Sequence, residues 1–202
     1  PRNASHEPLY YARNLTHMPE DNPMYASRYW DSPTTPLYPF GFGLSYTTFS
    51  IANLSISESQ VKVGQSVSVT ADVTNTGQVT GDEVVQLYAR DLVASVTQPV
   101  KALKGFKRVH LNPGEQQRII FTLSANQLGF YNRAMAFVVE PGEIELMIGA
   151  SSDNLPLTTI INIVGEDNGA LPIGLINVVR GGYYALELTT GDVLYTNVNY
   201  KM

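Results

Sequence analysis

The stretch SVSVTADVTN (66–75) limits the fold more than any other part of this chain. Val67, Val69, Ala71 and Val73 alternate with Ser, Thr and Asp, so apolar and polar residues fall on opposite sides of an extended backbone. Successive side chains of a strand point to opposite faces, whereas a helix would scatter the same residues around its circumference. NTG then turns the chain, and DEVVQLYARD (82–91) supplies the next strand, with Val85, Leu87 and Ala89 on one face. Val84 and Tyr88 make its other face fairly apolar as well.

The pattern continues downstream. LNPGEQQ is a Pro-Gly turn into RIIFTLS (118–124), where Ile119, Phe121 and Leu123 alternate. EPGE (140–143) is a second such turn, joining MAFVV to IELMIGAS with Ile144, Leu146 and Ile148 inward. With TTFSIANLSIS before and LTTIINIV after, about seven short strands at regular spacing predict an antiparallel β-sandwich of the immunoglobulin or fibronectin type III kind. Val69, Val73, Leu87, Phe121, Leu146 and Ile148 are the expected core.

The flanks differ in texture. Residues 1–46 are rich in Pro, Tyr and Asn and show neither period; only LYYARNL (9–15) suggests a short regular element. Such a segment has too little periodic apolar sequence to offset the entropy of ordering it alone. It is expected to pack on a surface outside this chain, with Tyr38, Phe40 and Phe42 wedged between that surface and the sandwich. Beyond GEDNGA, LPIGLINVV, GYYALEL and DVLYTNVNY read as three strands. The expected divisions are 1–35, a connector at 36–46, the sandwich at 47–164 and an extension at 165–202.

Composition removes several functions. The formal net charge is −5 and the 13 Lys and Arg are scattered, so nucleic-acid binding has no electrostatic support. The single basic cluster, KALKGFKR (101–108), reads as a solvated strand face. The absence of cysteine removes disulfides, thiolate nucleophiles and Cys-ligated metals, without fixing the compartment. No apolar run approaches the roughly 20 residues that span a bilayer, so no membrane partner is expected. The start PRNASHEPLYY has neither a basic n-region nor an apolar h-region and opens on Pro, which suggests a cleaved or truncated start.

No catalytic, cofactor or metal site stands out. His6, His17 and His110 are the three histidines, and they read as surface or hydrogen-bonded residues, not ligands. FGLSY (42–46) lacks the strand-to-helix context of a nucleophile elbow, and GFG (41–43) lacks the Lys-Ser/Thr and third glycine of a phosphate loop. The acidic pairs Glu20/Asp21 and Glu140/Glu143 read as turn residues. NAS, NLT and NLS match the glycosylation pattern, which matters only in a eukaryotic secretory host. Tyr10, Tyr11, Tyr25, Tyr29 and Trp30 crowd the start beside Arg13 and Arg28. They suit either stacking on sugar rings or anchoring an extended segment onto a neighbouring domain, the second being the simpler reading.

PLYPFGFGLSYTTF (36–49), VTNTGQVTGDEVVQLYARD (73–91), PVKALKGFKRVHLNPGE (99–115) and EPGEIELMIGASS (140–152) together resemble the C-terminal end of glycoside hydrolase family 3, the β-glucosidases and β-xylosidases. PRNASHEPLYYARN and YASRYWD resemble the family's approach to that end, so the likeness runs from residue 1 to about residue 152. It implies that residues 1–35 close an α/β domain and that 47–164 form a fibronectin type III-like domain. It also implies retaining hydrolysis of terminal β-D-glucosyl or β-D-xylosyl residues, through a glycosyl-enzyme formed by one carboxylate while another protonates the leaving oxygen. Neither carboxylate carries over. The family's nucleophile is an Asp between Ser and Trp, Trp30-Asp31 has the reverse order, and the acid/base belongs upstream. At most, the loop from Asn14 to Tyr29 reaches the rim of a site built by other residues, and it lacks the family's usual GRP element.

The implied role is scaffolding within an enzyme whose catalytic residues lie elsewhere, with no cofactor. The implied partners are the remainder of that enzyme, in the same or a separate chain, its β-linked glucosides or xylosides, and a second copy in a homodimer. The expected compartment is the periplasm or the exterior, with the cytoplasm as alternative. The competing function is a stand-alone carbohydrate-binding or adhesion module, against which the Ser, Thr, Glu and Gln on the outward strand faces argue. Residues 166–202 depart from the family as a genuine extension, a strand contact to a neighbouring subunit, or sequence introduced by cloning.

Overall fold

A computed structural model describes residues 10–14 and 35–165, and the backbone of two short strands at 184–186 and 193–196. Ten strands run from the connector to residue 164. They are β1 (Phe49–Ile56), β2 (Gln60–Lys62), β3 (Ser66–Asn75), β4 (Gly81–Asp91), β5 (Ala102–Leu111), β6 (Gln116–Ser124), β7 (Phe130–Tyr131), β8 (Phe137–Val138), β9 (Gly142–Gly149) and β10 (Leu157–Val164). One sheet has the order β1-β3-β6 and the other β2-β10-β9-β4-β5. All pairings in them are antiparallel except β2 with β10.

The two sheets close on one core. Val67, Val69, Ala71 and Val73 of β3 and Ile119, Phe121 and Leu123 of β6 face Val85, Leu87, Ile144, Leu146, Ile148, Ile161 and Ile163 of the larger sheet. All six residues expected in the core are buried there. Alternation decides this, because one face of each strand must leave water and only one carries the apolar residues.

Two details differ from the strand pattern expected from sequence. The sheets hold eight strands, because Ala102–Leu111 pairs along β4 and Gln60–Lys62 adds a parallel edge beside β10 that buries Val61. MAFVV does not pair with β9. Only Phe137–Val138 is extended, and it pairs with Phe130–Tyr131 around a turn in which the Asn132 side chain accepts from the amides of Ala134 and Ala136. An Asn that binds backbone two and four residues on favours a turn over a continued ladder. Beyond the sandwich, β11 (Tyr184–Leu186) pairs antiparallel with β12 (Val193–Thr196), matching two of the three expected segments, and LPIGLINVV lies outside the described residues.

Asn75 ends β3 with its side chain fully buried. Its amide donates to the carbonyls of Val79 (2.8 Å) and Leu111 (2.9 Å), and its oxygen accepts from Thr47 Oγ1 (2.7 Å) and Gly77 N (3.0 Å). One side chain therefore ties the β3–β4 turn, the end of β5 and the connector together, with its buried polar atoms satisfied. On the outer face of the small sheet, Asp72 is nearly inaccessible between Arg118 of β6 (2.7 and 3.1 Å) and Asn53 of β1 (2.9 Å). Asn53 lies at φ 56°, a left-handed conformation that Asn tolerates, inside the bulge between Ala52 and Ser55. Hydrogen bonds from Arg118 and then Asn53 hold the Asp72 carboxyl down to about 2.

A folded pKa below the unfolded one stabilises the fold above the unfolded value and is lost as pH falls through the folded one. Replacing Asp72 by Asn is therefore expected to flatten the loss of stability between about pH 4 and pH 2, read by urea denaturation at a series of pH values. Truncating Phe121 to Ala is expected to cost about 3–5 kcal/mol, whereas truncating the exposed Phe106 should cost less than about 1. Equal losses at the two positions would show that the strand facing is wrong.

Candidate functional site

Strand β4 is buried on both faces at its centre. Gln86 and Tyr88 point away from the core between the sheets, yet Gln86 is 4% and Tyr88 0% exposed. The chain before β1 covers them. Gln86 Nε2 donates to the carbonyls of Ala150 (2.7 Å) and Gly41 (3.1 Å), and Gln86 Oε1 accepts from the Tyr88 hydroxyl (2.6 Å). Burial, with smaller contributions from Tyr11 and Asp153, pushes Tyr88 up to about 12. Its hydroxyl therefore stays a donor throughout the physiological range.

Aromatic rings complete the cover. Phe40 stacks on Tyr11 at 4.1 Å and 12°, and Tyr11 meets Tyr88 edge-on at 5.9 Å. The Phe40 carbonyl accepts from Ser152 N at 2.9 Å, and the Ser152 carbonyl accepts from Lys101 Nζ at 2.5 Å. Residues 10–14 are tied separately, because Val100 N donates to the Arg13 carbonyl (2.9 Å) and Asn14 bridges to Pro99. Gly41 is required twice over. It sits at φ +79°, and a Cβ there would collide with the Gln86 amide.

This arrangement changes one expectation. Residues 10–14 and 39–41 pack on the sandwich of this chain, because the apolar outer face of β4 offers them a place. Of the three aromatics expected to be wedged, Phe40 stacks on Tyr11 with about half its surface open, while Tyr38 and Phe42 contact each other at 5.2 Å and are exposed as well.

The other residues singled out from sequence do not assemble. His110 hydrogen-bonds Asp82 at 3.1 Å beside Arg108 at 2.9 Å, an exposed cluster in which Arg108 first and His110 second lower the Asp82 carboxyl. Of the basic cluster, Lys101 and Lys104 are tied to the Ser152 and Gln127 carbonyls, the latter at 2.7 Å. Glu140 accepts from Ser95, and Leu44 and Tyr46 of FGLSY are fully open to solvent. His6, His17, Glu20, Asp21, Tyr25, Arg28, Tyr29, Trp30 and Asp31 lie outside the described residues. Among the described residues no three His, Asp or Glu side chains come close enough to hold a metal ion, and no helix is long and apolar enough to cross a membrane. Gln86 was the residue missed. Its signal was a polar side chain between Val84 and Tyr88 on a face too apolar to be left bare.

Replacing Gln86 by Ala is expected to cost about 1–3 kcal/mol, because the buried Tyr88 hydroxyl and two carbonyls lose their partner. Amide exchange at Ser152 should quicken as Phe40 detaches, while amides of β3 and β6 keep their protection. An unchanged Ser152 rate would show that the connector is held by its rings alone.

Comparison with known proteins fits this arrangement. A family model described as fibronectin type III-like domain matches residues 83–152. A periplasmic beta-glucosidase of Salmonella typhimurium is 40% identical over 155 residues, 75% of this chain and 20% of that protein. A beta-xylosidase of Formosa agariphila is 47% identical over 133 residues, 66% of this chain and 18% of that protein. A crystal structure of beta-glucosidase from Listeria innocua in complex with glucose superposes with a TM-score of 0.73 at 34% identity, covering 79% of this chain and 22% of that one. The chain thus spans about a fifth of the length of the curated relatives it matches. The sandwich and its clamped connector belong to the C-terminal part of glycoside hydrolase family 3, the part that carries the fibronectin type III-like domain.

Proposed function

We propose that this chain is the structural C-terminal segment of a retaining β-glycosidase that removes terminal β-D-glucosyl or β-D-xylosyl residues. The reacting carboxylates belong to a part of the enzyme that precedes it. Residues 1–35 would end the α/β domain, 36–46 connect it to the fibronectin type III-like domain at 47–164, and 165–202 extend beyond.

The observation that carries this reading is the connector's two-sided character. One side is clamped by Gln86, Tyr11 and Ser152, while Leu37, Tyr38, Phe42, Leu44 and Tyr46 are exposed along the same ten residues, Leu44 by 91%. Apolar side chains crowded on a rigid segment suit a surface that another part of the protein covers. The relatives are about five times longer than the matched region, so they have such a part. A periplasmic relative supports export to the periplasm or beyond. The same exposed surface makes a homodimer an alternative cover.

The purified chain is expected to give no turnover of p-nitrophenyl β-glucoside or β-xyloside above buffer, while the whole polypeptide that carries it is active. Turnover by residues 1–202 alone, abolished by replacing one of their Asp or Glu residues, would overturn the proposal. Mass spectrometry of the purified material shows whether a larger chain co-migrates.

A further inference from the structure

Between β4 and β5 the chain makes an excursion over residues 92–101 that is fixed at both ends. Leu92 N donates to the Glu143 carbonyl at 3.1 Å, and Val93 N to the Asp91 carboxylate at 3.0 Å. Ser95 gives its amide to one Glu140 oxygen at 2.9 Å and its hydroxyl to the other. At the far end Val100 is held by Arg13. A loop with this many anchors keeps its shape without a ligand, which lowers the ordering cost of binding.

With Arg133, from the turn between β7 and β8, this loop borders an open pocket of about 350 Å³. That lies at the small end of the ~300–1,000 Å³ typical of small-molecule sites. Arg90, Asp91, Ser95, Thr97, Gln98 and Arg133 supply its polar groups, and aliphatic side chains of the loop supply the rest. The lining carries both signs: Asp91 stands among Arg90 and Arg133, and Arg90 also lies 4.0 Å from Glu145.

An anion entering here meets Asp91 with Glu140 behind it, and a cation meets two guanidiniums. A neutral ligand meets donors and acceptors together and carries no net charge to desolvate. Hydroxyl groups match both kinds of partner, since each donates once and accepts twice. We propose that this pocket on the sandwich binds a neutral polyhydroxylated ring, a pyranose sugar. The pocket geometry carries this inference independently of the enzymatic reading above.

The test is a two-dimensional ¹H–¹⁵N NMR titration of the full 202-residue chain with D-glucose, D-xylose and sodium D-glucuronate. Saturable shifts confined to amides 90–100 and the neighbourhood of Arg133 are expected with the neutral sugars. Arg133→Ala and Thr97→Val, both at exposed positions, should each weaken binding by about tenfold, the size of one lost hydrogen bond. Phe106→Ala, on the outer face of β5, should leave binding unchanged. Shifts that do not saturate, that fall elsewhere, or that survive both pocket substitutions would overturn the proposal. Tighter binding of glucuronate than of glucose would overturn the assignment to a neutral ligand.

Discussion

The buried amide of Gln86 sets where the connector runs. It stands on the outer face of β4, and its partners come from three places: Val84 and Tyr88 in its own strand, Ala150 just after β9, and Gly41 before β1. An amide out of water costs free energy until its donors and acceptor are paired, so the connector must bring a carbonyl to that point. Gly41 then follows, since only a residue without a side chain approaches so closely at that backbone angle. Phe40 is placed beside it, over Tyr11, and Gln86 and Tyr88 are closed to water.

The connector is also held at its other end. Thr47 donates to Asn75 at 2.7 Å, and Thr76 N donates to the Thr48 carbonyl at 2.8 Å. Between these two attachments residues 42–46 are exposed. A segment fixed at both ends and bare between them presents its apolar side chains in one arrangement. The small sheet carries its own polar tie in Asp72, Arg118 and Asn53, so each sheet has an outer-face network as well as a share in the core.

Much of the fold was legible in the sequence because a two-residue period has only one physical reading. The facing of Val69, Val73, Leu87, Phe121, Leu146 and Ile148 followed from alternation, and the turn at LNPG from Pro and Gly, whereas EPGE leads straight into β9 without the expected turn. The short edge strand β2 was not legible, because three residues with one buried Val carry no period of their own. The β7–β8 pair was misjudged because the Asn132 turn competes with the ladder that MAFVV would otherwise join.

The sequence by itself determined that the chain is a β-sandwich with an irregular, aromatic-rich lead, and its ordered motifs pointed to the family. Only the tertiary structure decided that this lead lies partly on the sandwich, that Tyr11 and Phe40 pair over Tyr88, and that the 92–101 loop and Arg133 border an open pocket. The reason is separation along the chain. Gly41 and Gln86 lie 45 residues apart, and Gln86 and Ala150 lie 64. Periodicity reports which way a side chain faces along its own strand, whereas partners so distant become neighbours only after the sheets have paired.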